Sequence, residues 1–129
     1  MSRVQNKQNL DVYRSAMEVA EKIWEECNRF SYRSFKTVGC QLTRAADSIG
    51  ANISEGFGRY TYREKIRFCH IARGSLEETT TWLEKALRRG FVDQSSYDLL
   101  CTDLVNLHKA INGYIRYLRS LMATKDKVE

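Results

Sequence analysis

Apolar residues recur at alternating intervals of three and four along four stretches of the chain, which is the pattern of a helix packed by one side against others. The predicted helices cover residues 9–27, 37–55, 62–89 and 96–122, with Asn9 as the cap of the first. Gly56-Phe57-Gly58 is a stop signal, Thr61 and Glu64 form a capping-box sequence, and Gly90 ends the third helix. Short connections between long helices predict an all-α, antiparallel up-down-up-down four-helix bundle.

Each predicted helix has an apolar stripe that we expect to face the core. The first stripe is Leu10, Tyr13, Met17, Ala20, Trp24 and Cys27, and the second is Val38, Leu42, Ala45, Ile49 and Ile53. The fourth helix carries Tyr97, Cys101, Leu104, Ile111, Ile115, Leu118 and Met122. Residues 28–36 lose the period and are predicted to be a connection.

The third helix has two apolar stripes side by side, and together they cover more than half of its circumference. Its main stripe is Tyr62, Ile66, Cys69, Leu76, Leu83 and Leu87. The second stripe is Phe68, Ala72, Ser75, Thr79, Trp82 and Ala86. Phe68 and Trp82 either pack under a neighbouring loop or face another subunit. The second alternative is favoured, because a contiguous exposed apolar patch usually marks an interface. These two residues are therefore candidates for an oligomer interface.

The length of 129 residues and the hydrophobic fraction of 43% fit one domain, residues 1–129, around one core. Proline is absent, which favours long helices over a β-sandwich or barrel. No signal peptide or membrane span is apparent, and four widely spaced cysteines are typical of reduced, buried thiols. We therefore expect a cytoplasmic protein.

The net charge of +5 is concentrated in the middle of the sequence. Residues 29–73 carry nine Lys and Arg against three Asp and Glu, whereas the flanking segments are nearly neutral. Such an asymmetry is expected of a surface that meets phosphate, although a solvated basic helix face is the plainer alternative. The candidate nucleic-acid-binding residues are Arg29, Arg33, Lys36, Arg44, Arg59, Arg63, Lys65, Arg67 and Arg73.

Small and polar residues lie unexpectedly within the predicted helices. Gly50, Gly74 and Gly113 each cost helix stability, and close approach between helices or chains is the natural compensation. Ser48, Asn52 and Glu55 share one side of the second helix, and Arg59 follows its end. These four side chains could form a hydrogen-bond network. Such a network is usually a structural clasp that holds the fold, and less often it contacts a ligand.

Catalysis has little support in the sequence. His70 and His108 are the two candidate bases at neutral pH, and no nucleophile lies near either in sequence. Glu25-Glu26 and Glu77-Glu78 point their carboxylates to different helix faces. The Gly56-Phe57-Gly58 segment lacks the lysine of a phosphate-binding loop. We therefore predict no enzymatic activity, no metal and no cofactor.

One stretch of the sequence carries a family resemblance. Residues 41–59, QLTRAADSIGANISEGFGR, are similar to the signature of the 23S rRNA-intervening-sequence family of bacterial four-helix bundles. Arg67-Phe68 and residues 71–78 resemble the second conserved block of that family. The residues that belong to the family pattern or to the predicted clasp are Ser48, Asn52, Glu55, Gly56, Arg59, Gly74 and Ser75.

The resemblance implies a ring-shaped homopentamer and no established reaction. A relative of that family, the accessory variability determinant of diversity-generating retroelements, binds nucleic acid and its partner reverse transcriptase. Members often carry a proline in the first connection, and this chain has none. The main hypothesis is thus a non-enzymatic, oligomeric protein that binds RNA or DNA through its basic residues. The alternative is a protein-interaction scaffold that uses apolar helix faces and has no nucleic-acid role.

Overall fold

The computed structural model describes the backbone of residues 10–128 and the side chains of residues 10–125. Four long helices account for this part of the chain, which contains no strand. Helix α1 is Asp11–Cys27, α3 is Tyr62–Arg88 and α4 is Gln94–Val128. Helix α2, residues 32–57, consists of three consecutive segments: Tyr32–Ser34, the π-helical Phe35–Gly39, and Cys40–Phe57. The predicted cap Asn9 lies outside the described residues.

The four helices enclose one main core. Helix α1 packs against α2 and α4, α3 packs against the same two helices, and the α2–α3 contact is the most extensive. The predicted stripe of α2 is buried in full, from Val38 to Ile53. In α4 the buried residues are Leu100, Leu104, Leu107, Ile111, Ile115 and Leu118. This arrangement is consistent with a four-helix bundle.

Helix α2 begins earlier than the sequence pattern predicts. The Ser31 hydroxyl accepts a hydrogen bond from the Ser34 amide at 3.1 Å and caps the helix there. The π-helical turn at Phe35–Gly39 then holds one more residue than an α-turn, which shifts the apolar period. The prediction of an irregular connection over residues 28–36 was therefore wrong from Tyr32 onward.

The ends of α2 and α3 use the predicted signals in a modified form. The Thr61 hydroxyl accepts the Glu64 amide at 3.2 Å, but the Glu64 carboxylate accepts from Arg67 instead of returning to the cap. Gly90 adopts the left-handed conformation expected just past a helix end, with φ of 77°. Helix α2 ends at the predicted stop signal, but Gly58 stays right-handed with φ of −81° instead of adopting the left-handed conformation.

Helix α1 is rotated relative to the prediction. Its buried residues are centred about a quarter-turn from the middle of the predicted stripe, of which only Ala20 and Cys27 are buried. The other buried residues are Val12, Ala16, Val19 and Ile23. Met17 and Trp24, which were expected inside, are 43% and 42% exposed. Both sides of α1 are apolar, and the helix buries the side with the smaller residues.

Within residues 10–128, no helix combines the length and the hydropathy that a membrane crossing requires. The four cysteines are free thiols, with Cys27 and Cys69 buried and Cys40 and Cys101 partly exposed.

Candidate functional site

Eight of the nine basic candidates fall into two groups at opposite ends of α3, and Arg44 lies between them along α2. Five of them lie from the α2–α3 connection into the first half of α3: Arg59, Arg63, Lys65, Arg67 and Arg73. Arg33 lies near Arg89, beyond the other end of this 27-residue helix. The two ends are about 40 Å apart at 1.5 Å per residue, so the nine residues do not form one surface.

A second basic segment, on α4, joins the first group. Arg73 Nη1 donates a hydrogen bond to Asn112 Oδ1 at 2.7 Å across the α3–α4 interface. Arg73 Nη2 lies 2.8 Å from His70 Nδ1 on its own helix. Arg119 is close enough to act electrostatically on His70. Arg63, Arg67 and His70 lie within about 60° of one another around the axis of α3, and Asn112, Arg116 and Arg119 do so around the axis of α4. We call this surface the basic face, and its residues are Arg63, Arg67, His70, Arg73, Arg116 and Arg119.

The electrostatics of the basic face are visible in His70. Burial lowers the pKa of its imidazole below the usual 6.5, and the positive charges of Arg73 and Arg119 lower it further. Because an arginine can only donate, His70 Nδ1 is the acceptor and the proton is on Nε2. A neutral histidine therefore contributes a hydrogen-bond donor to this surface.

Sequence reasoning missed Arg116 and Arg119. Residues 74–129 have a net charge of zero, and this sum concealed the uneven distribution of charged residues along α4. Within residues 94–125 the two acids, Asp98 and Asp103, precede all four bases, the last of which is Lys125. A charge sum taken separately for each half of each predicted helix would have revealed the basic second half of α4.

Arg59 and Arg67 cover an aromatic ring between α2 and α3. Their guanidinium carbons lie 4.7 and 4.8 Å from the centre of the Phe68 ring. Each arginine also pairs with a carboxylate, Arg59 with Glu55 at 2.8 Å and Arg67 with Glu64 at 3.2 Å. Phe68 is only 9% exposed, so the protomer already covers it and the reason for assigning it to an oligomer interface is lost.

Two further candidates have local roles in the fold. Lys65 donates to the Phe57 carbonyl at 2.7 Å and thereby closes the end of α2, and burial lowers the pKa of its amine. Trp82 is partly buried and packs against core residues.

The other basic group is diluted by acidic residues. Arg29 pairs with Glu26 at 2.7 Å. Arg33 lies in a groove with Arg89 and Phe91, and Lys36 lies over the ring of Tyr32. Arg44 is exposed further along α2. Arg29 lines a groove with Ser96 and Asp103, so this end of the molecule also contains the acidic first half of α4.

The predicted clasp is two separate contacts. Ser48 Oγ and Ser75 Oγ lie 2.8 Å apart, and Asn52 Nδ2 donates to the Ser48 carbonyl at 2.9 Å. The Glu55–Arg59 pair is exposed, and neither partner bonds to Asn52. Ser48, Asn52, Glu55 and Arg59 therefore do not form one network, and of these contacts the Ser48–Ser75 hydrogen bond is the one that links α2 to α3.

The glycines explain why α2 and α3 pack so closely at one place. A Cβ added at Gly56 would lie 2.8 Å from Phe68 Cβ and 3.1 Å from the Lys65 carbonyl oxygen. Gly50 likewise lies against Met17 of α1. Gly74 is exposed and has nothing within 4 Å of such an added atom, so no close approach within the protomer requires it.

Chemistry beyond binding has few candidates. Among the side chains of residues 10–125, no three His, Cys, Asp or Glu groups come together as metal ligands would. His108 lines a small groove between α3 and α4 with Leu76 and Val105. Burial raises the pKa of the Cys27 and Cys69 thiols to about 11, which keeps them protonated and poorly nucleophilic at neutral pH.

These features define a small all-α protein on a four-helix frame, with one basic face shared by its third and fourth helices. The chain belongs to the 23S rRNA-intervening sequence protein family, whose sequence model matches residues 8–113. A solved structure from Bacteroides thetaiotaomicron, a protein with unknown function from the S23 ribosomal protein family, has a similar fold with a TM-score of 0.73. It is 24% identical, and the match covers 81% of this chain and 97% of that chain. No curated protein matches the chain significantly.

Proposed function

We propose that this protein is a non-enzymatic, oligomeric nucleic-acid-binding protein and that its basic face contacts the phosphate backbone of RNA or DNA. The observation that carries the proposal is the meeting of two basic segments, 39 residues apart in sequence, at the Arg73–Asn112 hydrogen bond. Arg63, Arg116 and Arg119 form no ion pair with the described residues, so their charge is available to a ligand.

The shape of the basic face supports a polyanion as its ligand. The distance along α3 from Arg63 to Arg73 is about 15 Å, which corresponds to the rise of about four base pairs. Guanidinium groups match phosphate oxygens in geometry as well as charge. A stretch of backbone with several phosphates fits this surface better than a single small anion does.

Assembly into a ring of copies, with five favoured by the family resemblance, is part of the proposal. The exposed Met17 and Trp24 of α1 support an interface there, rather than at Phe68 and Trp82. Repetition of the basic face around a ring would raise both the local potential and the avidity for a long ligand. Four free cysteines support a cytoplasmic setting.

The proposed bundle is antiparallel, with neighbouring helices running up and down in turn. Ser48 of α2 meets Ser75 of α3, whereas Gly56, later in α2, meets Phe68, earlier in α3. Lys22 of α1 pairs with Asp103 of α4 at 3.1 Å, so the first and last helices are also neighbours.

Fluorescence anisotropy with a labelled RNA stem-loop and a DNA duplex, each titrated at several salt concentrations, tests the proposal. We expect affinity to fall steeply with salt, because bound phosphates release counterions. The double variant Arg63→Glu with Arg116→Glu should weaken binding at least tenfold. Its matched control, Arg33→Glu with Arg89→Glu, changes the net charge equally at the other end of α3 and should have a much smaller effect. Absent binding at low salt, or equal losses in both variants, would refute the assignment.

Light scattering behind a sizing column tests the oligomeric part separately. A pentamer has about five times the protomer mass of 15.0 kDa. Trp24→Glu should reduce that mass. The control Leu99→Glu also replaces an exposed apolar residue with an acidic one, but on α4, and it should leave the mass unchanged. A wild-type mass of one protomer at micromolar concentration would contradict assembly.

A protein-interaction scaffold is the second candidate, and the apolar groove between α1 and α2 favours it. This groove of about 380 Å³ is lined mostly by apolar residues, Tyr13, Met17, Ala20, Gly50 and Ala51, and also by Glu21, Asp47 and Ser54. A partner held there should be captured equally well by wild type and by the basic-face double variant. Loss of capture in that variant would show that charge is the basis of the interaction.

A further inference from the structure

Arg73 is held in place more firmly than the other arginines of the basic face. One of its terminal nitrogens donates to Asn112 on α4 and the other to His70 on α3, at 2.7 and 2.8 Å. Its guanidinium group is partly buried and bridges two helices, so little conformational freedom remains to be lost when a ligand binds. Three of its five N–H groups have no partner among the described residues.

The two partners of Arg73 are oriented by that contact. Because arginine has no acceptor, Asn112 must present its oxygen to Arg73 and leave its amide Nδ2 for another acceptor. For the same reason His70 accepts at Nδ1 and keeps a proton on Nε2. Neither Asn112 Nδ2 nor His70 Nε2 donates a hydrogen bond within residues 10–125.

The nitrogen atoms that remain available on Arg73, His70 and Asn112 are consequently all hydrogen-bond donors. Asn112 and His70 each offer an N–H group, Arg73 offers its remaining three, and Arg119 lies beside His70. Glu77, one helical turn after Arg73, forms no ion pair with the described residues. Apart from the Glu77 carboxylate, the groups available here are N–H donors and positive charges, a set that is complementary to an anion with several charged oxygens.

We propose that Arg73, Asn112 and His70, with Arg119 beside them, form a binding site for a phosphate group. The inference rests on the proposed function for the source of that phosphate, a nucleic-acid backbone. Phosphate itself is the chemistry that the site recognises, so a free phosphate or a nucleotide is the other possible source. Arg63, Arg67 and Arg116 would then contact neighbouring phosphates through charge alone.

The variant Asn112→Asp tests this site with an almost isosteric change. An aspartate can still accept from Arg73, but it neutralises the guanidinium charge and replaces the outward donor with an acceptor. Asn106→Asp is the matched control, because Asn106 is exposed on the same helix, about 120° away around its axis. Both variants lower the net charge by one, so only the position of the change differs.

Two measurements are made on each protein. Inorganic phosphate is titrated while the His70 ring signals are followed by NMR, and labelled RNA stem-loop is titrated by anisotropy at several salt concentrations. For Asn112→Asp we expect a weakening of about tenfold or more for both probes, which is typical of one lost hydrogen bond to a charged group. The salt slope for RNA should fall by about one phosphate contact. Asn106→Asp should stay within about twofold of wild type.

The outcomes separate the site from the wider function. Equal losses in the two aspartate variants would overturn the site, because only net charge would then matter. Absent phosphate-induced shifts at His70 would also overturn it, even if RNA binds elsewhere on the protein. Phosphate binding that depends on Asn112 without any RNA binding would uphold the site and refute the proposed function. If Asn112→Asp fails to fold, Arg73→Lys keeps the charge, and full retention of phosphate affinity there would overturn the site.

Discussion

The contact between α2 and α3 at Gly56 makes a quantitative prediction about stability. The substitution Gly56→Ala adds one methyl group at a point where Phe68 Cβ is 2.8 Å away and the Lys65 carbonyl oxygen 3.1 Å away. One obstacle is backbone and the other is the first atom of a buried side chain, so neither can move aside without shifting a helix. We therefore expect the two helices to separate locally.

The magnitude follows from two opposing terms. Overpacking of this kind costs about 1–3 kcal/mol, whereas alanine gains about 1 kcal/mol over glycine inside a helix. Gly74→Ala is the matched variant, because Gly74 is also inside a helix but has open space around it. Gly56 is one residue from the end of α2, so its helix-propensity gain is no larger than that of Gly74, and the two variants should differ by at least the overpacking cost of about 1–3 kcal/mol. At about 4 °C per kcal/mol for a domain of this size, Gly56→Ala should melt about 4–12 °C below Gly74→Ala.

Thermal and urea unfolding followed by circular dichroism at 222 nm measure this difference at fixed protein concentration. Gly74→Ala should be more stable than wild type, and Gly56→Ala less stable than Gly74→Ala. Melting temperatures of the two variants within 2 °C of each other would refute the close-contact argument. If Gly74→Ala instead lowers stability or the assembled mass, then Gly74 is needed for a contact outside the protomer.

Three further outcomes test other parts of the structure. Thr61→Ala removes a helix cap and should lower the free energy of unfolding by about 1 kcal/mol, whereas Thr81→Ala, within the same helix, should change it less. Burial raises the pKa of Cys27 and Cys69 to about 11, so at pH 8 these thiols should be alkylated far more slowly than the two partly exposed ones. Peptide mass spectrometry measures the rates, and equal rates would contradict the burial of Cys27 and Cys69. The pKa of His70 is lowered in the folded state, so the unfolded chain binds its proton first and stability should fall as pH drops below about 6.5. An NMR titration of His70 with a midpoint above 6.5 would be inconsistent with that sign.

The sequence pattern predicted the helices best where local signals and packing agree. Helix α3 ends one residue from its predicted limit, because Thr61 and Gly90 have the conformations that their residue types favour. Helix α2 was shortened in the prediction because its π-helical turn breaks the 3.6-residue period at Phe35. A single extra residue in one turn is invisible to a search for regular spacing.

The sequence pattern could not predict the rotation of α1 or the residues of the basic face, because both depend on how the helices pack. Two adjacent sides of α1 are apolar, so periodicity alone could not decide whether Ala16 or Met17 faces the core. The basic face depends on α4 returning beside α3, which brings Arg119 to His70. A count along the chain cannot contain a charge sum that exists only after folding.

The position of the basic face follows from how α3 is held on both of its flanks. On one side Ser75 bonds to Ser48 of α2 at 2.8 Å, and on the other Arg73 bonds to Asn112 of α4 at 2.7 Å. Hydrogen bonds are directional, unlike apolar contacts, so the two together oppose rotation of α3 about its axis. The helix side between these flanks, away from the core, is where Arg67 and Gly74 lie exposed. The polar residues that interrupt the apolar pattern of α3 thus determine which of its charges reach the solvent.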